Sequence, residues 1–168
     1  MDRKYQQAAS YYGFVCNGCE DNCCRSQFYH HTLVEYLYLH KGFRTLPEKM
    51  RQETMDRARD VYQRLASETE KPALIMCPLN ENGRCILYLY RPMICRLHGI
   101  PHELRKPGTW VQHHPGCKAF HDRLKSLPYF RFDRTPFYLK LAYLEKTFRD
   151  KIGNTERIRL TVAEMLLV

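Results

Sequence analysis

The sequence predicts a mainly α-helical, compact single domain with one small β-hairpin, stabilised by bound metal. Three observations predict it. Apolar residues recur at helical spacing in several stretches, each with a start or stop signal. Asn82-Gly83 stands between two short apolar runs, a strong tight-turn signal for a hairpin. Eight cysteines, Cys16, Cys19, Cys23, Cys24, Cys77, Cys85, Cys95 and Cys117, all stand at or before residue 117 of 168. Four of them fall within nine positions, a run too short to carry a hydrophobic core of its own.

At 168 residues the chain is long enough to bury a real core within one domain, read as spanning 1–168. Its metal-binding part is expected at about 12–121 and a helical C-terminal extension at about 122–168. A 44% apolar and 27% charged composition is that of an ordinary globular protein. No apolar run reaches the roughly 20 residues needed to cross a bilayer, so no membrane partner is expected. The start, Met1 to Gln7, has no apolar segment of the kind that secretory signals carry. A reducing cytoplasm is therefore expected, where clustered cysteines hold metal or do redox work rather than form disulfides. The formal charge of +9 counts every thiol as neutral. Thiolates around a metal would offset much of it, and a solvated basic surface accounts for the rest better than a nucleic-acid face does.

Taken in order, residues 1–15 read as a polar, then aromatic arm entering the cysteine run, where Glu20, Asp21 and Asn22 form an exposed side. Residues 26–41 read as a helix with Leu33, Val34, Leu37 and Tyr38 on one face and Gly42 as its C-terminal cap. That start would set Cys23 and Cys24 against a helix N-terminus, whose dipole and open amides favour thiolate. Thr45-x-x-Glu48 with Pro47 announces a second helix, with Met50, Thr54, Ala58, Val61 and Leu65 inward and Lys71-Pro72 at its end. Residues 73–90 read as the hairpin, which would bring Cys77 and Cys85 together. Arg91-Pro92-Met93-Ile94-Cys95-Arg96 starts a helical turn, and 99–116, rich in Gly and Pro, reads as loop with Trp110, the single tryptophan. Cys117 opens a short helix stopped by Pro128. Thr135-Pro136 starts another, closing near Gly153 with Phe137, Leu141, Leu144 and Phe148 on one face. Thr161-x-x-Glu164 caps a last apolar turn.

A Cys-x2-Cys pair places two sulfurs on one tight turn, two corners of a metal tetrahedron. The adjacent Cys23 and Cys24 diverge, which suits a centre with metal on two sides. With Cys16-x2-Cys19-x3-Cys23-Cys24, Cys77-Pro78, Gly83-x-Cys85, Arg91-Pro92-x-x-Cys95-Arg96 and a late Cys117, the chain from Tyr12 to Cys117 closely resembles the CxxCxxCC (YkgJ-type) cysteine-cluster family of zinc- or iron-chelating domains. The resemblance implies that all eight cysteines belong to the metal set. Multi-domain relatives in that family are linked to protein lysine methylation, which implies an alternative role as a metal-dependent enzyme or accessory protein for protein modification.

Eight thiolates would make two closed four-sulfur zinc sites, or hold iron–sulfur clusters. Irregular spacing over three segments and the aromatic neighbours Tyr88, Tyr90 and Phe120 favour the iron–sulfur cluster over zinc. The spacing excludes the radical S-adenosylmethionine signature and the bacterial ferredoxin run. His98, His102, His113, His114 and His121 lie near Cys95 or Cys117 in sequence, with His98 and His114 the first reserves should a site lack a ligand. Arg91 and Arg96 flank Cys95 as donors to sulfur or as ordinary packing residues. No phosphate loop, nucleophile elbow or His-Glu-x-x-His motif is present. The function classes left are a metal protein for electron transfer, metal handling or sensing with an unknown protein or redox partner, a metal-dependent enzyme, and a zinc-stabilised RNA- or protein-binding module.

Overall fold

The computed structural model describes residues 1–15, 24–25, 27–67, 75–124 and 126–168. About half of the structure is helical, and two small antiparallel hairpins complete one compact domain. The expected loop of Cys16 to Asn22, Cys23 and the Lys71-Pro72 stop lie outside the described residues.

The N-terminal segment is a helix, α1 (Asp2–Tyr11), not an arm. Its buried face is small, Ala8 and Ala9 followed by Tyr12, so little apolar periodicity announces it. Gly13 at φ +59° turns the chain out of it, and the Phe14 amide donates back to the Ala9 carbonyl at 2.8 Å.

Helix α2 (Leu33–Phe43) starts later than its apolar pattern suggests. Thr32 caps it, accepting the Glu35 amide, while His30 upstream is extended and exchanges both backbone hydrogen bonds with Leu160. Cys24 therefore sits in a turn remote from the helix start, and the expected dipole stabilisation of its thiolate does not arise. Gly42 is not the cap but an interior residue. A Cβ there would meet the Tyr90 ring at 2.3–2.7 Å, so glycine permits the close approach of Tyr90. The Thr45 hydroxyl donates to the Gly42 carbonyl at 2.7 Å and finishes α2, in place of the expected box with Glu48. Helix α3 (Glu48–Ser67) then buries Thr54, Ala58 and Val61, the face its sequence predicts.

The first hairpin is shorter than predicted: β1 (Asn80–Glu81) pairs with β2 (Arg84–Cys85) around Asn82 and Gly83, both at positive φ. Beyond Cys85 the chain leaves the ladder for a 3₁₀ turn (Tyr88–Tyr90), then α4 (Met93–Arg96). A second hairpin, β3 (His102–Arg105) with β4 (Val111–His114), occupies the stretch predicted as loop. Its inward residue is Glu103, whose backbone bonds to Phe132 and Arg134, so the alternation that marks a strand is polar and unreadable. The chain ends with α5 (Lys118–Leu124), α6 (Thr135–Ile152) closed by Gly153 at φ +64°, and α7 (Val162–Leu167) behind its capping box.

Two apolar clusters form the interior. One joins Leu39, Phe43, Ala58, Val61, Ile75, Leu79, Leu87 and the α7 residues Ala163, Met165 and Leu166. The other joins Ala8, Ala9, Tyr12, Met93, Leu97, Ile100, Cys117, Phe120 and Phe132. The 85–97 segment contributes to both.

The two halves are tied by Glu145 of α6, buried, which accepts the Leu33 and Val34 amides at 2.9 and 3.0 Å. It thus closes the open N-terminus of α2 with a carboxylate from a distant helix. Burial raises its pKa, but those two amides and the Arg149 guanidinium outweigh it and hold the carboxyl below the ordinary 4.5. A depressed carboxyl pKa contributes stability that is present above the ordinary value and lost as pH falls through the folded one. Glu145→Gln is expected to cost about 1–3 kcal/mol at pH 7 in urea unfolding, with the gap to wild type narrowing below pH ~4.

Candidate metal centre

Four chain segments deliver cysteines to one cavity of about 500 Å³: Cys24, Cys77, Cys85 and Cys95 all line it. Apolar side chains supply part of the remaining wall, Val61 and Leu65 from α3, Ile75 and Leu79 before β1, and Val162 and Ala163 from α7. Gln27, His30, Arg84, Arg91 and Thr161 supply polar groups. The C-terminal segment, read from sequence as an extension, is thus part of the cavity wall.

Each cysteine is placed by backbone or by a polar clamp. The Cys77 amide donates to the Cys24 carbonyl at 2.6 Å, joining two segments far apart in sequence. Cys77-Pro78-Leu79 curls so that the Leu79 amide donates to the Cys77 sulfur, and Cys85-Ile86-Leu87 repeats this with the Leu87 amide. An amide two residues on, aimed at sulfur, is a donor that favours thiolate. The Asn82-Gly83 turn holds these loops together: Asn80 receives the Gly83 amide on its side chain and gives its own amide to the Cys77 carbonyl. From α3, Arg57 donates to the Pro78 carbonyl at 3.0 Å and to the Thr54 hydroxyl at 2.9 Å. Glu35 of α2 accepts the Met93 amide at 2.8 Å and so caps the short helix that carries Cys95.

Without a cation this environment disfavours charge on sulfur. Burial pushes the Cys95 thiol up to about 12, aided by the neighbouring Cys85 and Cys24 and by Glu35, while Arg91 opposes the rise. Burial lifts Cys85 to about 11 and Cys77 well above the ordinary thiol value. A bound cation would take the place of these protons. None of the five described cysteines forms a disulfide with another.

As placed, no group of three or more Cys, His, Asp or Glu among the described residues is spaced to hold a metal ion. Cys16, Cys19 and Cys23 lie outside those residues. The donor chemistry fits a metal centre; a closed ligand shell is not formed by the described cysteines alone. Cys117 is separate from the cavity lining. It is buried in the second apolar cluster, its amide bonded to the Gly99 carbonyl at 3.0 Å.

The other expected residues divide similarly. Arg91 lines the cavity, yet its Nε serves the Tyr88 carbonyl and its guanidinium stacks 3.5 Å from the Tyr88 ring centroid, so it acts on the sulfurs through space. Arg96 is a structural clamp: it bonds the Arg91 and Leu89 carbonyls and pairs with Asp2 at 3.1 Å. Tyr88 and Phe28 line the cavity, whereas Tyr90 packs on α2 and Phe120 in the second cluster. Of the histidines, His102 and His114 stack on each other at 4.6 Å, His113 meets Tyr129, His98 meets Phe28, and His121 is exposed. The cavity lining among the described residues includes none of these five; it includes His30. Sequence reasoning missed His30, Glu35, Arg57 and the α7 wall. Only His30 left a usable signal, its place six residues after Cys24.

No family model, no curated protein and no solved structure matches the chain.

In metal-free protein at pH 8, Glu35→Gln is expected to speed iodoacetamide labelling of Cys95 several-fold, because it removes a negative charge that raises that thiol's pKa. Peptide mass spectrometry reads each site separately. Equal rates in wild type and variant would show that Glu35 has no electrostatic hold on Cys95.

Proposed function

We propose that this chain is a metal protein whose cysteines hold an iron–sulfur cluster or zinc, serving electron transfer, metal handling or sensing. The observation that carries this reading is the convergence of Cys24, Cys77, Cys85 and Cys95 on one cavity, with backbone amides already donated to two of the sulfurs. Cys16, Cys19 and Cys23 join the proposed donor set, as the CxxCxxCC resemblance implies. The resemblance assigns Cys117 to it as well, but Cys117 stands in the second apolar cluster, outside the cavity lining. The iron–sulfur cluster is favoured over zinc. A space of about 500 Å³ exceeds the need of a single tetrahedral ion, and the aromatic residues Phe28 and Tyr88 line it. Such a centre would supply one-electron exchange if iron–sulfur, or a purely structural anchor if zinc. The chain's own part is to orient sulfurs through the Leu79 and Leu87 amides and to offset their charge with Arg91. An enzymatic role in protein modification would need a substrate to reach the same cavity.

Anaerobic purification followed by metal and acid-labile sulfide analysis tests this. Iron and sulfide with broad visible absorption support the cluster, and about two zinc per chain support closed structural sites. Chelation that strips the metal is expected to lower the thermal midpoint, because ligands from distant segments lose their common anchor. Protein purified without either metal, and unable to take up either, would sink the reading.

A second reading, an RNA-binding module, is favoured by one observation. Trp110 is 92% exposed beyond the Pro107-Gly108 turn of the β3–β4 hairpin, close to the exposed Arg105 and Lys106. An exposed indole beside two cations is a base-stacking element. Because Trp110 is the single tryptophan, its fluorescence reports on this hairpin alone. Single-stranded RNA that quenches it in a salt-dependent way would support this reading, with Trp110→Ala weakening binding by about 1–3 kcal/mol. An unquenched signal at low salt would remove it.

A further inference from the structure

The thiols are not the only donors in the cavity wall. His30 lines the same cavity as Cys24, Cys77, Cys85 and Cys95. It is 2% exposed, and its Nε2 has no hydrogen-bond partner among the described residues. Its backbone is held on both sides, the amide donating to the Leu160 carbonyl at 2.7 Å and the carbonyl accepting the Leu160 amide at 3.0 Å. The imidazole is therefore buried in the cavity wall on a held backbone, with an unsatisfied nitrogen. A buried nitrogen of this kind costs about 1–3 kcal/mol unless something binds it. Neutral imidazole is also a common ligand of zinc and of iron, and mixed sulfur–nitrogen sets are established for both.

We propose that His30 is a metal ligand, its Nε2 joining cavity thiolates in a mixed sulfur–nitrogen site. This rests on the metal reading above and deepens it, since it makes the centre other than all-cysteine. Nitrogen in place of one thiolate leaves the site one negative charge less, which eases its burial beside the apolar α3 and α7 walls. It also fits the placement of Cys117 outside the cavity lining, in the second apolar cluster.

Cobalt(II) titration of the full chain, anaerobic and with a non-thiol reductant, tests this. Wild type, His30→Gln, His30→Cys and the control His98→Gln are compared, with far-UV circular dichroism on each. The visible bands of tetrahedral cobalt move to longer wavelength as sulfur replaces nitrogen. His30→Gln is expected to weaken at least one cobalt site by about tenfold or more, the scale that losing even an outer-shell partner reaches. His30→Cys should restore the affinity with bands shifted to longer wavelength, and His98→Gln should match wild type. Wild-type uptake with the same affinity and bands in His30→Gln overturns the His30 assignment alone. Should His30→Gln misfold, His30→Cys still decides, since unshifted bands there overturn it equally. Wild-type protein that takes up no cobalt overturns this assignment, while the metal reading is judged by the iron, sulfide and zinc analysis.

Discussion

The constraint around which the structure is arranged is the delivery of cysteine sulfurs from four separate chain segments to one cavity. Sulfur in that cavity resists ionisation, as the raised thiol pKa of Cys77, Cys85 and Cys95 shows. The surrounding chain answers with fixed donors. The Leu79 and Leu87 amides face sulfur, Arg91 stands in the wall, and Arg57 and Glu35 hold the two segments that carry Cys77 and Cys95. These donors already stand in place in the chain by itself.

Polar links join scaffold and site beside the apolar residues Val61, Ile75, Leu79 and Ala163 that belong to both. Thr32 caps α2 and also bonds Glu35; Glu35 caps α4; Glu145 closes α2 from α6. The start of α2 is thus the place where the N-terminal core, the C-terminal helix and the cysteine helix meet. Carboxylates serve here because one such group accepts two amides at once, and open helix termini supply amides in pairs. Loss of any one leaves buried N–H groups without partners, a larger penalty than the bond itself contributes.

Long local signals were legible in the sequence. The Thr54–Ala58–Val61 face of α3, the Asn82-Gly83 turn, the Gly153 cap and the Thr161 capping box all stand where the residues place them. What escaped was set by distant partners. Gly42 looks like a helix cap because nothing nearby reveals that Tyr90 lies against it. The β3–β4 hairpin escaped because its inward residue is Glu103, held by backbone around Phe132. At the site, cysteine spacing indicated shared chemistry for Cys77, Cys85 and Cys95, but the helix-dipole argument for Cys24 failed. It assumed a helix start that the His30–Leu160 bridge forbids. Four of the histidines near Cys95 and Cys117 in sequence meet each other or aromatic rings and His121 is exposed, while His30 reached the cavity through strand-like pairing that no local pattern encodes.

The composition of the cavity wall bears on the kind of centre it would serve. A structural zinc site is closed by its four ligands and has no need of an apolar chamber beside it. Here α3 and α7 pack against each other and present Val61, Leu65, Val162 and Ala163 to the same space as the sulfurs. An apolar wall lowers the local dielectric, and that tunes the potential of a redox centre and shields it from water and oxidants. The same wall makes the C-terminal helix part of the site, since removing it would open the cavity to solvent. Arg84 and Arg91 line the same cavity, and the Arg91 charge opposes the rise of the Cys85 and Cys95 pKa.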